Sequence, residues 1–218
     1  MSGGGFVLGQ SPRAPGRGEA SRETLDRVVA SIDEEAVTAS DVNRESRLEW
    51  FLNGQTPEDP PARETFDQVR ERLVERKLLA TEAAAEPATD QQSAARAQKL
   101  LEENRKRFST PEAYQVALRS LGMDETQVLA GIVAEQKVLG MIDRRLRPEA
   151  AVEPSEVETY YRATFTPEFK RRGTGALPPL PQVEGQIREI LTQQRIDKLL
   201  SQWVEELKSS HRVVFHSF

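Results

Sequence analysis

The chain has 218 residues, of which 37% are apolar and 30% are charged, and its formal net charge is -5. This composition favours a helical protein with much solvated surface over a compact enzyme, and the mild acidic excess argues against a nucleic-acid partner. The absence of cysteine excludes disulfides, thiol catalysis and cysteine-based zinc sites. No apolar run approaches the ~20 residues that a membrane-spanning helix needs, so we expect no stable membrane insertion.

The first 23 residues have the composition of a flexible tail. They are rich in Gly, Ser, Pro and Arg, and Phe6-Val7-Leu8 is their only apolar run. A secretory signal needs a basic start followed by roughly 7–15 apolar residues, and this stretch has neither. We therefore predict a flexible tail at residues 1–23 and see no signal peptide in the sequence.

The first folded stretch begins as a strand, because Val28, Ala30 and Ile32 fall on one face at a period of two. A polar turn and a second short strand follow, and then a helix begins. Thr38 is placed to cap that helix, and Asp41 can reach back to complete a capping box. A two-stranded ribbon is only marginally stable, so it needs a further strand or a packed helix.

Local start and stop signals divide the middle of the chain into helices. Ser, Thr or Asp at a cap and Pro at the first helical position mark the starts, while Gly and Pro mark the ends. The helix that starts at Thr89 carries few large apolar residues, so we expect it on the surface. The helix capped by Asp124 carries an apolar stripe of Val128, Ile132, Leu139, Ile142 and Leu146. The predicted helices span residues 38–52, 63–86, 89–107, 111–122, 124–146, 154–164 and 182–209.

The clearest break in the chain is Phe165 to Pro181. Its Gly and Pro content predicts a linker or an extended strap. After the final predicted helix, residues 212–215 have the composition of a strand. Because the only strand signals lie at the two ends of the chain, we expect the last strand to pair with the first ribbon. The predicted fold is therefore mainly α, with a small β-sheet formed by the N-terminal strands and the C-terminal strand.

The sequence carries no recognisable catalytic, nucleotide-binding or metal motif. His211 and His216 lack the further ligands that a metal site needs. Gly173-Thr174-Gly175 lacks the preceding strand and the remaining residues of a phosphate-binding loop, and no nucleophile-elbow pattern is present. We therefore expect no catalytic residue, no cofactor and no metal.

Aromatic and methionine side chains are the candidates for a binding surface. The aromatic residues are spread over different helices, where each can fill a core. The alternative is that some of them line an exposed apolar groove, which is the usual mark of a site for unfolded or peptide ligands. Methionine suits such an adaptable surface. The candidate client-binding residues are Trp50, Phe51, Phe108, Tyr114, Met123 and Met141.

Several stretches of the sequence resemble one protein family. The opening LDRVVASIDEEAVTASDV, the run YQVALRSLGMDETQVLAGIVAEQKVLGMIDRRL and the segment PSEVETYY are similar, in this order, to stretches of the SurA/PpiD class of periplasmic folding factors. The likeness covers residues 25–218 and concerns the chaperone portion of these proteins. It implies a multi-helix SurA-like chaperone module, a periplasmic location, and unfolded or nascent client proteins as partners.

The chain departs from that family in two places. Glu34-Glu35 stands in the first turn, where the family usually carries Asn-Gly or Asp-Gly. A parvulin-type prolyl isomerase domain takes roughly 90–100 residues by resemblance to the family, and only the predicted linker stands at its position. The active-site histidines and cysteine of the isomerase have no counterparts, so we expect it to be absent. The resemblance divides the chain into a tail (1–23), a SurA-N-like helical domain (24–164), a linker that replaces the parvulin domain (165–181), and a C-terminal helix and strand that complete the chaperone domain (182–218).

These observations lead to three hypotheses for the function. The first is an ATP-independent molecular chaperone, a holdase, that binds unfolded or extracytoplasmic clients through an apolar groove between helices. The second is a divergent peptidyl-prolyl cis-trans isomerase, which would accelerate a step that is slow without catalysis. The third is an assembly factor for one specific partner. The sequence leaves the oligomeric state open.

Overall fold

The computed structural model of the protein describes residues 26–54, 65–86, 90–173 and 175–217. It confirms the predicted fold class, a mainly helical protein with a small antiparallel sheet built from both ends of the chain. None of the described helices combines the length and apolar character that crossing a membrane requires. The elements are β1 (Val28–Ile32), β2 (Glu35–Thr38), α1 (Ala39–Leu52), α2 (Phe66–Ala85), α3 (Asp90–Arg105), α4 (Pro111–Ser120), α5 (Glu125–Leu146), α6 (Pro154–Tyr160), a π-helical turn (Tyr161–Phe165), α7 (Thr166–Arg172), α8 (Leu180–Ser210) and β3 (Val213–Phe215). The predicted tail at residues 1–23 lies outside the described residues.

The sheet has the strand order β2-β1-β3, so the last strand pairs with the first. Strand β3 runs antiparallel to β1, with Val213 opposite Ile32. The hairpin turn reinforces this closure: the Asp33 carboxylate accepts the Arg212 N–H at 2.8 Å and lies 2.7 Å from Nδ1 of His211. The hydrogen bond with His211, followed by that from the Arg212 backbone, lowers the pKa of Asp33. The two ends of the chain are therefore joined by main-chain and side-chain contacts.

The expected alternation of faces in β1 is wrong at its first residue. Val28 is 42% exposed, whereas Val29 and Ala30 are both buried. The register shifts at this point, because Val28 faces Thr38 and Ala30 faces Val37, which leaves Val29 as an extra residue on β1. Such an insertion is a β-bulge and turns neighbouring side chains to the same side. Only Ala30 and Ile32 of the three predicted residues therefore face the core.

The predicted helix starts at Thr38, Pro111, Asp124 and Pro154 are confirmed, whereas α2 begins at Phe66 and α8 at Leu180 rather than at residues 63 and 182. Thr38 with Asp41 forms a capping box at α1, and Asp124 with Gln127 forms one at α5. At α4 the hydroxyl of Thr110 accepts the Ala113 N–H at 3.1 Å, and proline occupies the first turn. These starts are set by contacts between residues three apart, which explains why the sequence reveals them.

The apolar residues form two main cores that share α5. The first core lies between the sheet, α2, α8 and the C-terminal half of α5, and the second lies between α1, α3, α4 and the N-terminal half of α5. The first core includes Val29, Ile32, Val37, Val74, Leu78, Met141, Ile142, Trp203 and Val204, and the second includes Phe51, Ala97, Leu101, Tyr114, Leu118, Met123, Val128 and Ile132.

Helix α3 is not the surface helix that its composition suggests. Ser93, Ala97, Leu101 and Asn104 are buried, and the helix packs closely along α5. The small side chains of Ser93 and Ala97 let the two helix backbones approach each other. The amide of Asn104 also donates to the carbonyl oxygen of Phe51 at 3.3 Å, which ties α3 to the end of α1. Burial through small residues leaves a weak apolar pattern, which accounts for the wrong expectation.

The structure corrects the first half of the predicted linker. The helix that starts at Pro154 continues to Arg172 through a π-helical turn, in which the Thr166 N–H donates to the carbonyl of Tyr161. Pro167 has no N–H to donate, and its ring would clash with a carbonyl in a regular α-helix, so the wider turn accommodates it. Among the described residues of this stretch, Gly173 and residues 175–179 are not helical.

Candidate functional site

The structure brings five of the six candidate client-binding residues together in the second core. Phe51 stacks on Phe108 with 5.7 Å between the ring centroids. Tyr114 meets the same two rings edge-on, at 5.5 Å from Phe51 and 5.4 Å from Phe108. Trp50 and Met123 belong to the same cluster. Met141 lies apart from them, fully buried in the first core.

Burial decides the role of most of these side chains. Phe51 is 1% exposed and Tyr114 is 3% exposed, and Met123 and Met141 are also buried. In this conformation they pack the cores, which is the first of the two roles that the sequence allows for the aromatic residues. Trp50 and Phe108 are only partly buried. Four of the six candidates are therefore buried in this conformation, and two remain partly accessible.

One groove, of about 500 Å³, does reach the second core. We call it the aromatic groove; its lining is Arg105, Lys106, Phe108, Ser109, Thr110, Pro111, Tyr114, Gln115 and Glu125. Its charged groups pair with each other, since Nε of Arg105 donates to Glu125 at 3.0 Å. The hydrogen bond from Arg105 lowers the pKa of Glu125, and burial raises the pKa of Tyr114 to about 12. The pairing leaves Phe108 as the main apolar contact that this groove offers.

A larger groove, of about 530 Å³, runs along α5. We call it the α5 groove. Helices α3 and α8 each pack on α5 and leave a gap between them. This gap is the groove: α3 and α8 form its walls, and α5 forms its floor. Leu139 lies on this floor and is 49% exposed. The groove is lined by Gln92, Arg96, Gln136, Leu139, Gly140, Ile142, Asp143, Arg144, Gln193 and Ile196.

The exposure of Leu139 corrects the predicted stripe on α5. The other four stripe residues are buried as expected. The N-terminal half of α5 faces the second core and the C-terminal half faces the first, and Val138 and Met141 provide the contact to the first core. Leu139 therefore points into the space between α3 and α8. An apolar residue at core spacing that is left in an open groove is a candidate contact for a ligand.

Amide side chains from three different helices line the α5 groove. Gln92 lies on α3, Gln136 on α5 and Gln193 on α8. An amide has donors and an acceptor, so it can pair with both main-chain groups of an extended peptide. Gln193 already donates to Asp197 at 2.8 Å, which holds its side chain along the wall. No pattern in the sequence marks these glutamines, because their convergence depends on how the helices pack.

Two of the three charged residues that line the α5 groove, Asp143 and Arg144, lie near the C-terminal end of α5, and the third is Arg96 of α3. Arg144 is fixed by an ion pair with Glu86 at 2.6 Å, and Asp143 pairs with Arg147 at 2.5 Å. Leu100 on α3 and Ile190 on α8 are also exposed and lie within a helical turn or so of lining residues. The groove thus combines an apolar floor, amide side chains and a charged end.

The two histidines lie at the sheet. His211 contacts Asp33, and Nε2 of His216 lies 3.4 Å from the Ser31 hydroxyl. Within the part of the chain that the structure describes, no three His, Asp or Glu side chains gather as a metal site would require. Both histidines therefore have contacts that belong to the sheet closure.

Comparison with known proteins assigns no relative: no family model and no curated protein matches the chain. The geometry of the grooves is therefore the basis for the function proposed next.

Proposed function

We propose that the protein is an ATP-independent holdase that binds unfolded polypeptides in the α5 groove. The observation that carries this proposal is Leu139, an apolar side chain left half exposed on the floor of a groove between helices. Apolar surface that remains open on a folded protein marks a site of interaction. The resemblance to SurA/PpiD-type folding factors supports the same function and favours extracytoplasmic clients.

The chemistry of the groove fits an extended chain of varied sequence. Leu139 offers an exposed aliphatic contact beside the buried side chains of Ile142 and Ile196, and covering apolar surface stabilises a complex without requiring a particular side chain. The amides of Gln136 and Gln193 supply hydrogen bonds for the client main chain, which every sequence has. Both contributions are independent of client identity, as a holdase requires.

The proposal assigns no catalytic step to the groove. Client binding depends on a modest apolar area, so each contact is weak and several client segments compete for it. A complex of this kind forms with unfolded chains and dissociates without nucleotide. Its strength should follow the exposed apolar surface of the client rather than a particular motif.

A paired substitution tests the proposal. Leu139→Gln removes the apolar floor at a half-exposed helical position, so the fold should be kept. Val116→Gln makes the same kind of change at a 56% exposed residue of α4 that lines neither groove. We expect the wild-type protein to suppress aggregation of a chemically unfolded client at equimolar ratio without ATP. The Leu139→Gln variant should reach the same suppression only at about fivefold higher protein concentration, because roughly 1 kcal/mol of apolar contact with the client is lost.

The control variant and the use of two clients define the results that would contradict the proposal. The Val116→Gln protein should match the wild type with two unrelated clients. Equal losses for both variants would mean that general surface hydrophobicity, and not the α5 groove, binds the client. Absence of suppression with either client would contradict the holdase and favour an assembly factor for one partner. Acceleration of cis-trans exchange in a proline peptide would instead support the isomerase.

A further inference from the structure

The helix from Pro154 to Arg172 forms a surface arm whose second half is anchored weakly. We call residues 154–172 the arm. Its first half is held by Val157, which packs against Val183 and Ile187 of α8. Its second half is α7, and none of the seven described residues of α7 is buried. The arm therefore offers a side and a tip that the core does not use.

The tip of the arm is strongly basic. Lys170, Arg171 and Arg172 form its last turn and are exposed. Arg172 lies 3.9 Å from Glu168, but neither Lys170 nor Arg171 has a carboxylate partner among the described residues. The helix dipole favours a cation at a helix C-terminus, but a single cation is enough for this, and α7 ends with three. A basic tip on a chain of net charge -5 is a local reversal of sign.

A groove of about 400 Å³ lies along the same arm. Leu191 of α8 contributes to it, and its other lining residues belong to the arm. Thr164 lines the end of the groove nearer the tip, and Lys170 is six residues further on, which is about 9 Å along a helix. The lining residues are Ser155, Glu156, Thr159, Tyr160, Ala163, Thr164 and Leu191.

Stacked rings stiffen the arm between its groove and its tip. Tyr161, Phe165 and Phe169 are spaced four residues apart, with ring centroids 5.6 and 5.8 Å apart in succession. The Tyr161 hydroxyl also donates to the carbonyl oxygen of Pro178 at 2.8 Å, which ties the arm to the returning chain. The spacing between groove and tip is therefore held fixed before any partner binds, which lowers the entropy cost of binding.

We propose that the arm is a docking site for an acidic polypeptide segment in which apolar residues adjoin a run of Asp or Glu. The apolar residues occupy the groove beside Tyr160 and Leu191, and the acidic run pairs with Lys170 and Arg171. The partner is inferred from charge complementarity at the tip and from the groove next to it. This site shares no lining residue with the α5 groove and does not depend on the holdase proposal.

Other anionic partners fit the arm less well. Nucleic-acid binding typically neutralises about 6–10 phosphates, more than three cations can supply. A membrane surface is engaged by apolar side chains that are free to insert, and the rings of Phe165 and Phe169 contact each other at a tilt instead. A peptide needs only the short row of charges and the groove that the arm provides.

The test is a fluorescence anisotropy titration with a labelled peptide that carries leucines followed by four glutamates. The intact protein should bind it, and the triple variant K170E/R171E/R172E should bind about tenfold more weakly or not at all. The triple variant K99E/R119E/K198E makes an equal change of net charge at exposed residues elsewhere and is expected to bind as the wild type does. Because α7 contains no buried residue, the arm variant should remain folded, although the loss of cations at the C-terminus of α7 lowers its melting midpoint slightly.

Each other result would overturn the proposal. Equal weakening in both triple variants would show that overall charge attracts the peptide. Equal binding of a leucine peptide that lacks glutamates would show that the basic tip is not used. Arm-dependent binding of vesicles with 30% anionic lipid, without peptide binding, would assign the arm to a membrane surface. None of these outcomes bears on aggregation suppression, so the two proposals stand or fall separately.

Discussion

Removal of residues 212–218 is expected to lower the free energy of unfolding by about 3 kcal/mol, which in a domain of this size lowers the melting midpoint by about 6–12 °C. The deletion removes β3, whose Val213 lies opposite Ile32. It also removes the Arg212 carbonyl, which accepts the Asp33 N–H at 3.0 Å, and the His216 N–H, which donates to Val29 at 3.0 Å. Strand β1 then loses its partner on one side.

Thermal or urea denaturation measures this effect, and amide exchange locates it. Faster exchange should appear at the Asp33 amide, nearly two hundred residues from the deletion. Val214→Thr is the matched control, because Val214 is exposed and threonine keeps the strand preference, so its midpoint should equal that of the wild type. An unchanged midpoint for the truncated protein would contradict the joining of the two chain ends.

Replacement of Phe51 by alanine should destabilise the protein by about 4 kcal/mol, as is usual for removal of a fully buried phenylalanine. Phe51 lies in the second core between the rings of Phe108 and Tyr114. Its loss leaves a cavity that the packed helices cannot fill. The Phe51→Ala protein should also keep its affinity for unfolded clients wherever it remains folded, because its binding surface at Leu139 is intact.

Trp50→Ala is the comparison for this prediction. Trp50 is the preceding residue of α1 and is only partly buried, so its removal should cost less than half as much as that of Phe51. Urea denaturation of both variants under the same conditions gives the two values. Equal losses of unfolding free energy in the two variants, together with a loss of client binding in Phe51→Ala alone, would instead indicate that Phe51 contacts the client.

The sheet and the helix starts could be predicted because they depend on few residues. The pairing of β1 with β3 follows from having strand signals only at the two ends of the chain and from the instability of a lone ribbon. The caps at Thr38 and Asp124 depend on side chains three residues away. The caps depend on neighbouring residues, and the strand pairing depends on how few strands the chain has. A single sequence shows both.

The α5 groove, which we propose as the binding surface, could not be predicted, because it depends on packing between distant helices. Leu139 has the spacing of a core residue, and only the gap between α3 and α8 makes it accessible. Ala97 belongs to a helix whose composition suggests a surface position, and only the close approach of α3 to α5 buries it. Pro167 reads as a helix breaker, and the π-helical turn before it allows the helix to continue.

Site-specific photo-cross-linking tests the central claim, that unfolded polypeptides bind in the α5 groove. Benzoylphenylalanine placed at Gln136, in the lining of the groove, is compared with the same group placed at Val116, which lines neither groove. With an unfolded client in equimolar amount, the account predicts client adducts from position 136 and a background level from position 116. Adduct yields at position 136 that are no higher than those at position 116 would contradict it.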